Sequence, residues 1–373
     1  MEFANHLIVF VGALFLLSIL AGVVSSRIGA PLLLVFLGLG MLLGEEGPVG
    51  VSFGDFEATF VVASISLAII LFDGGLRTPL SSVRTGWAPA LSLATVGVVI
   101  TAVVVSMFAV LVFDGGWMQA LLIGAIIGST DAAAVFLLLH QRGMTLRRRL
   151  GATLEIESGA NDPMAIFLTI ITVELVVAGD GLLSLAVVEV FVRQMVLGAL
   201  FGILGGKLLG WAVNRLELAS GLYPVFVVSG ALFTFGLTQE LGGSGFLAVY
   251  LAGIVAGNER LRASKLIRRF HDGIAWLSQI IMFVMLGLLV TPSNLLDGFF
   301  PSILVALVLI FIARPLAVFI CLLPFRFKRA ERVFIAWVGL RGAVPIYLAM
   351  IPVLGGLSNS MHYFNVAFLV VLT

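Results

Sequence analysis

The chain has 373 residues, of which 61% are hydrophobic and only 11% are charged, with a formal net charge of +1. Soluble domains carry about 25% charged residues, so this composition excludes an ordinary soluble protein and indicates a membrane protein. The long apolar runs match the length that a helix needs to cross about 30 Å of hydrocarbon. The ten-residue alternating segments of a membrane β-barrel do not occur in the sequence,.

The apolar runs predict an all-α polytopic membrane protein with about thirteen transmembrane helices. The predicted spans are 5–24, 30–44, 58–76, 88–113, 117–139, 149–178, 183–213, 222–240, 242–258, 273–291, 299–323, 333–354 and one that begins near 363. The last has only about ten residues before Thr373, too few to cross a bilayer,. We therefore expect the natural protein to continue into a cytoplasmic C-terminal domain. The first span is not a signal peptide, because its lead carries Glu2 and no Lys or Arg,.

Basic residues occur in every second loop between the predicted spans. These loops hold all but four of the 21 Lys and Arg residues, at or within positions 27, 77, 84, 142, 147–149, 215, 260–269 and 326–332. Basic loops lie in the cytoplasm, so we expect the N-terminus on the outside. Such short clusters in a nearly neutral chain do not indicate a nucleic-acid-binding protein.

The seventh span carries a glycine every four residues, at Gly198, Gly202, Gly206 and Gly210. A stripe of small residues lets two membrane helices approach closely. Its packing partner could belong to the same protomer or to a second copy, and we favour the same protomer.

Six spans precede the seventh and six follow it, so the second set starts from the opposite side of the membrane. We expect two inverted repeats, 1–178 and 216–373, joined by a linking helix within 179–215, as is common in secondary transporters. Matched irregularities support this, with Gly and Ser-Thr-Asp at 128–131 in the fifth span and Gly-Leu-Arg-Gly-Ala-Val-Pro at 339–345 in the twelfth. Because proline and glycine disrupt helices, we expect both spans to be interrupted. The alternative is that these glycines only allow close helix packing.

Two aspartates lie deep inside successive apolar spans, Asp131 in the fifth and Asp162 in the sixth. An ionisable group at this depth costs at least about 2.5–3.5 kcal/mol, which points to an ion or proton pathway. At 1.5 Å per residue, Asp162 lies about 20 Å in from the basic cluster at 147–149, and Asp131 lies about 20 Å from Trp117. The two carboxylates therefore reach a common depth from opposite sides.

The residues around the aspartates offer the oxygen ligands that a dehydrated alkali cation requires, by analogy with other hard cations. Helical spacing places Ser158 one turn from Asp162, and Glu157 with Asn161 on the adjacent stripe. A carboxyl group withdrawn from water binds a proton more readily, so H⁺ can compete with the cation for the same oxygens. Competition at one site gives obligatory exchange. The alternative is a buried polar network that only fixes helix packing.

Three motifs occur in order on these spans: Thr-Asp at 130–131, Glu-Ser-x-x-Asn-Asp at 157–162 and Leu-Arg-Gly-Ala at 340–343. They resemble the motifs of NhaP-type monovalent cation/proton antiporters of the CPA1 branch. That branch includes sodium/proton exchangers and bacterial potassium/proton antiporters linked to volume regulation. The resemblance covers essentially the whole membrane portion, and with it we expect the NhaA-like fold and a bacterial inner membrane.

The resemblance implies roles for the matched residues. Asp162 is the central carboxylate, Asn161 holds the unwound fifth helix, and Arg341 pairs with an acid on the third span, here Asp73. The family more often has Glu at that position. The implied cation ligands are Asp162, Asp131, Thr130 and Ser158, with Glu157 as an accessory ligand.

Two more charged residues belong to the predicted site region. Glu155 is expected to support the site. Arg314 is a candidate second buried cation that balances Glu155 or Glu157, or that reaches the cytoplasmic surface.

These features predict a secondary transporter, not an enzyme, that exchanges K⁺ or Na⁺ for H⁺ without a cofactor, with K⁺ favoured. Asn161 cannot titrate, which leaves one principal proton carrier and predicts electroneutral exchange. We expect a homodimer in membrane lipid. The alternatives are a sodium-coupled symporter of an organic solute on the same plan, which needs a larger polar cavity, and a cation channel, which needs filter-like carbonyl loops.

Overall fold

The computed structural model describes residues 2–28, 32–113, 115–131, 136, 139, 146–178, 185–296 and 298–373. Over these ranges the regular structure is helical throughout. The basic residue Arg142 and most of the predicted fifth span beyond Asp131 lie outside the described residues, as does the boundary predicted between 178 and 179.

The helices follow one another along the chain with short connections. They are α1 (Glu2–Ile28), α2 (Leu32–Leu43), α3 (Phe56–Arg77), α4 (Leu80–Val112), α5 (Trp117–Ile126), α6 (Arg148–Ala178), α7 (Leu185–Arg215), α8 (Leu222–Glu240), α9 (Gly245–Gly257), α10 (Ser264–Leu288), α11 (Phe299–Cys321), α12 (Arg329–Trp337), α13 (Val344–Leu354) and α14 (Ser360–Leu372).

Within the described residues, seven helices are long and apolar enough to cross a membrane: α3, α4, α6, α7, α8, α10 and α11. Shorter apolar helices of 10–17 residues accompany them, among them α2, α5, α9, α13 and α14. The predicted all-helical membrane class is therefore confirmed.

Two helices begin well before the apolar runs that predicted them. α4 starts at Leu80 rather than at 88, and α10 starts at Ser264 rather than at 273. In α10 the extra turns bury Ile267 and His271, one turn apart, while their basic neighbours stay exposed. An amphipathic extension of this kind is helical but falls below an apolar threshold.

The glycine stripe on α7 packs within the protomer, as predicted. An added Cβ at Gly198 would lie 2.8 Å from the Ser244 carbonyl oxygen, and one at Gly202 would lie 2.6 Å from that of Ala248. These contacts run along α9, which therefore lies directly on the α7 backbone. Close approach of this kind is the usual use of small residues between membrane helices.

α4 and α11 each contain a π-helical stretch, at Leu93–Gly97 and Leu309–Ala313. Pro89 lies one turn before the first stretch, and Pro315 follows the second. Proline lacks a backbone donor and displaces the preceding turn, which accounts for a local change in hydrogen-bond register. The two helices also contact each other, since the Ser92 hydroxyl donates to the Cys321 carbonyl at 3.3 Å.

Contacts between loops sort into two ends of the bundle. At the basic end, Arg77 Nη2 pairs with Asp272 Oδ1 at 2.7 Å, and Arg147 Nη1 pairs with Glu331 Oε1 at 3.2 Å. At the other end, the Ser293 backbone N–H donates to Glu46 at 2.8 Å. The Ser293 hydroxyl and N–H hold the pKa of Glu46 below its usual range, because both stabilise the charged carboxylate,.

The predicted fifth and twelfth spans are not continuous helices. α5 stops at Ile126, and 129–131 are not helical. In the twelfth span α12 stops at Trp337 and α13 starts at Val344, where Pro345 occupies the first turn. These two non-helical segments lie beside α6 and form the candidate site.

Candidate functional site

Asp162 and Asp131 lie beside each other in the interior of the bundle. The Asp162 side chain is only 6% exposed. The Ser129 hydroxyl lies within hydrogen-bond range of its carboxylate, and the Asp131 carboxylate is close enough for the two charges to interact. Both aspartates line one cavity of about 270 Å³. The structure thus brings together the two carboxylates that the sequence places at a common depth.

The non-helical segment after α5 is held against α6 by Asn161. Its Nδ2 donates to the Thr130 carbonyl at 3.1 Å and also contacts the Thr130 hydroxyl. The Thr130 hydroxyl in turn lies 3.5 Å from Glu157 Oε1. A backbone that leaves a helix inside a membrane must find other hydrogen-bond partners, and the Asn161 amide supplies one. This contact matches the role that the resemblance implies for Asn161.

Arg314 forms a buried ion pair with Glu157. Arg314 Nη1 lies 2.6 Å from Glu157 Oε1, and the side chains are 5% and 2% exposed. Gly339 makes room for the guanidinium, since a Cβ there would lie 2.6 Å from Arg314 Nε. Of the alternatives for Arg314, the structure selects the pair with Glu157.

The predicted ligands fall into two groups around the cavity. Asp131, Ser158 and Asp162 line it, whereas Thr130 and Glu157 lie behind its wall. Because the Glu157 carboxylate contacts Arg314 and Thr130, its charge is matched inside the protein. Glu155 lines the cavity two helical turns from Asp162 and accepts a hydrogen bond from the Thr78 hydroxyl at 2.9 Å.

The predicted ion pair between Arg341 and Asp73 is not formed among the described residues. Asp73 Oδ2 instead pairs with Arg77 Nε at 2.8 Å, one turn along the same helix. Arg341 Nη1 reaches only the Gly339 carbonyl, at 3.4 Å, and its charge interacts with those of Arg314 and Glu157. Asp is one methylene shorter than Glu, which favours the neighbour on its own helix over a partner across the bundle.

Sequence reasoning did not assign roles to two residues of the site. Ser129 contacts the central carboxylate, and its position directly before Thr-Asp was the available signal. Tyr250 lines the cavity from α9. It lies in a uniformly apolar run, so no pattern in the sequence marks it.

Comparison with known proteins is consistent with this geometry. The model of the sodium/hydrogen exchanger transmembrane family matches residues 13–373. The chain belongs to this family. Among solved structures, the exchanger is similar to the sodium proton antiporter MjNhaP1 from Methanocaldococcus jannaschii at pH 8. The TM-score is 0.83 at 25% identity, over 100% of this chain and 98% of that one. The predicted family and the fold it implies at this level are confirmed.

The exchanger also has similar bacterial and archaeal relatives. It is 50% identical over 372 residues to the K(+)/H(+) antiporter NhaP of Alkalimonas amylolytica, covering 100% of this chain and 65% of that protein. It is 50% identical to the K(+)/H(+) antiporter NhaP2 of Shewanella sp. strain ANA-3, covering 95% and 62%. It is 27% identical to the Na(+)/H(+) antiporter 1 of Methanocaldococcus jannaschii, covering 91% and 82%. The chain therefore spans about two thirds or less of the first two relatives.

Proposed function

We propose that this exchanger moves a monovalent alkali cation in one direction and H⁺ in the other across a membrane, with K⁺ favoured over Na⁺. The observation that carries the proposal is the pairing of Asp131 with Asp162 in one cavity of an apolar helical bundle. Two interacting carboxylates repel each other, and either a proton or a cation relieves that repulsion. The names of the two 50% identical relatives, both K(+)/H(+) antiporters, support K⁺ as the cation.

The cation binds to oxygens that face or border the cavity. Asp162 and Asp131 supply charge, and the Ser158 hydroxyl and the non-helical backbone at Thr130 supply neutral oxygens. Such an all-oxygen set suits a hard cation. Glu157, which the resemblance made an accessory ligand, serves behind this shell, because Arg314 already neutralises it. Asn161 fixes Thr130 and carries no proton, so one cation exchanges for one proton without net charge movement.

The fold proposed for this function has thirteen spans in two inverted repeats, 1–178 and 216–373, linked through 179–215, as in the NhaA-like fold. Two matched features support it under a seven-helix offset. The fifth and twelfth spans are both interrupted, and the fourth and eleventh both carry a π-helical stretch near a proline. Each transported ion would then bind where the two repeats meet.

The basic end of the bundle is the cytoplasmic end, with the N-terminus outside, in a bacterial inner membrane. The contacts of Arg77 and Arg147 with residues of distant loops support a common end for the basic clusters. The positive-inside rule then sets the orientation. The working unit in lipid is a homodimer.

The test is exchange by the purified protein in proteoliposomes that contain a pH-sensitive dye. Addition of KCl, NaCl or LiCl in separate titrations should move protons against the imposed cation gradient, saturably, and at the lowest concentration for K⁺. Saturable counterflow of one labelled cation against another distinguishes a carrier from a channel. Absence of cation-dependent proton movement with all three salts would contradict the proposal.

A further inference from the structure

A second group of oxygen atoms lines the same cavity, nearer to the basic end of the bundle. It consists of the Thr78 hydroxyl, the Glu155 carboxylate and the Tyr250 hydroxyl. Thr78 Oγ1 lies 2.9 Å from Glu155 Oε1 and 2.9 Å from the Gly74 carbonyl oxygen. A hydroxyl has one hydrogen to donate, so it cannot fully satisfy both acceptors. The group therefore has more oxygen lone pairs than hydrogens.

Tyr250 adds a buried hydroxyl to this group. The residue is only 4% exposed, and its hydroxyl has no hydrogen-bond partner among the described residues. The hydroxyl lies beside Thr78 and close enough to Glu155 for the carboxylate charge to reach it. Buried polar groups are nearly always hydrogen-bonded, so an unpartnered hydroxyl on a cavity wall calls for a ligand.

The positions of these oxygens are fixed by contacts from three helices. Asn258, at the end of α9, donates to the Thr78 carbonyl at 2.8 Å and accepts from the Leu80 N–H at 2.8 Å. Gly159 lies one turn along α6 from Glu155, and a Cβ there would lie 2.5 Å from the Tyr250 ring. The missing side chain thus lets Tyr250 lie against α6 beside Glu155. The geometry is built before any ligand arrives.

The charge of Glu155 is not matched by a base. Within the described part of the chain Glu155 forms no ion pair, and the basic residue that shares its cavity, Arg77, pairs with Asp73 and Asp272. Glu155 and Asp162 are seven residues apart on α6, which corresponds to about 10 Å and nearly the same face. A negative group in a partly enclosed cleft raises the local concentration of cations.

We propose that Glu155, Thr78 and Tyr250 form a second cation subsite, which holds the transported alkali cation between the cytoplasmic end and the aspartate pair. The inference rests on the proposed exchange function and adds a residue set to it. Glu155 supplies the charge, and Thr78 and Tyr250 replace part of the cation's hydration shell. The subsite speeds loading of the aspartates and does not itself exchange the cation for a proton.

Transport kinetics test the subsite in inside-out vesicles, where the cytoplasmic side faces the added cation. Glu155→Gln removes the charge and should raise the KM for the cation about tenfold, because interactions with a charged ligand are worth roughly that factor. Tyr250→Phe should raise KM by a smaller factor, and neither should lower the maximal rate. The matched controls are Glu174→Gln, at an exposed position on α6, and Tyr347→Phe, whose hydroxyl contacts Ser64 outside the cavity. A wild-type KM in both test variants would overturn the subsite.

Binding of thallium to the detergent-solubilised protein separates the subsite from the exchange function. The double variant Asp131→Asn/Asp162→Asn should be inactive in transport and still bind one thallium ion weakly. Adding Glu155→Gln, or Tyr250→Phe if that triple variant fails to fold, should remove or weaken this binding. Thallium binding that is unaffected by these additions, or absent from the double variant, would overturn the subsite. A wild-type protein that binds thallium without exchanging protons would contradict the proposed function and leave the subsite standing.

Discussion

The Asp131 backbone N–H donates a 2.8 Å hydrogen bond to the Leu340 carbonyl. Each residue lies in a non-helical segment, one after α5 and the other between α12 and α13. Each segment thus satisfies a backbone group that a continuous helix would have satisfied internally, as the interior of a membrane requires. The position of the Asp131 carboxylate therefore depends on the twelfth span as well as on the fifth.

Gly342→Ala tests that dependence. A Cβ at Gly342 would lie 2.7 Å from Asp131 Oδ2, so the carboxylate must move. We expect the apparent cation affinity in dye-based exchange to fall by up to about 100-fold, the cost of displacing a reacting group by an ångström. Gly236→Ala is the matched control, because nothing lies within 4 Å of its added Cβ. Equal affinities in the two variants would show that Asp131 does not need this position.

Asp162→Asn should abolish exchange while the protein still folds. The change keeps the shape of the side chain, but an amide carries no charge to attract a cation and no proton to release. Exchange is measured in proteoliposomes, and folding is checked by size-exclusion profile and melting temperature. Appreciable exchange by this variant would move the central carboxylate elsewhere, and Asp131→Asn would then be the variant to examine.

Exchange should not respond to an imposed membrane potential. Glu157 is matched by Arg314, and Asn161 has no proton, so one proton balances one monovalent cation. The measurement uses potassium-free proteoliposomes loaded with Na⁺, with the potential set by a gradient of a permeant organic cation. A rate that changes with the sign of the potential would mean that net charge crosses with each cycle.

The depth of the aspartates and the interruption of two spans follow from local sequence features. An apolar run fixes where a helix crosses, and an acid or a proline within it is visible without knowing the packing. This is why Asp131 and Asp162 could be predicted as neighbours before any coordinates.

The choice of ion-pair partners could not be predicted in the same way. Glu155 and Glu157 lie at similar depth, and which of them meets Arg314 depends on how α6 and α11 are rotated in the bundle. The pair of Asp73 with Arg77 did have a signal, a spacing of four residues on one helix,. The resemblance to a family with Glu at that position pointed instead to Arg341.

The buried pair of Arg314 and Glu157 should respond to mutation asymmetrically. Arg314→Met leaves Glu157 buried without a counter-charge and should destabilise the protein by about 3–5 kcal/mol. The double variant Arg314→Met/Glu157→Met removes both charges and should recover most of that loss. The measurement is thermal unfolding in detergent for both single variants and the double variant. A double variant as unstable as the two single losses added together would mean that the charges act independently.

The glycine stripe of α7 should be intolerant of a single methyl group. At Gly202 the added Cβ would lie 2.6 Å from the Ala248 carbonyl oxygen and 2.9 Å from the Ala248 Cα, and a backbone cannot shift as a flexible side chain can. Gly202→Ala should therefore separate α7 from α9 and destabilise the protein by about 1–3 kcal/mol. Gly236→Ala, on α8 with open space around it, should instead stabilise its helix by up to about 1 kcal/mol. Thermal unfolding of both variants in the same detergent gives the comparison, and a stabilised Gly202→Ala would show that α7 and α9 do not pack as closely as the structure has them.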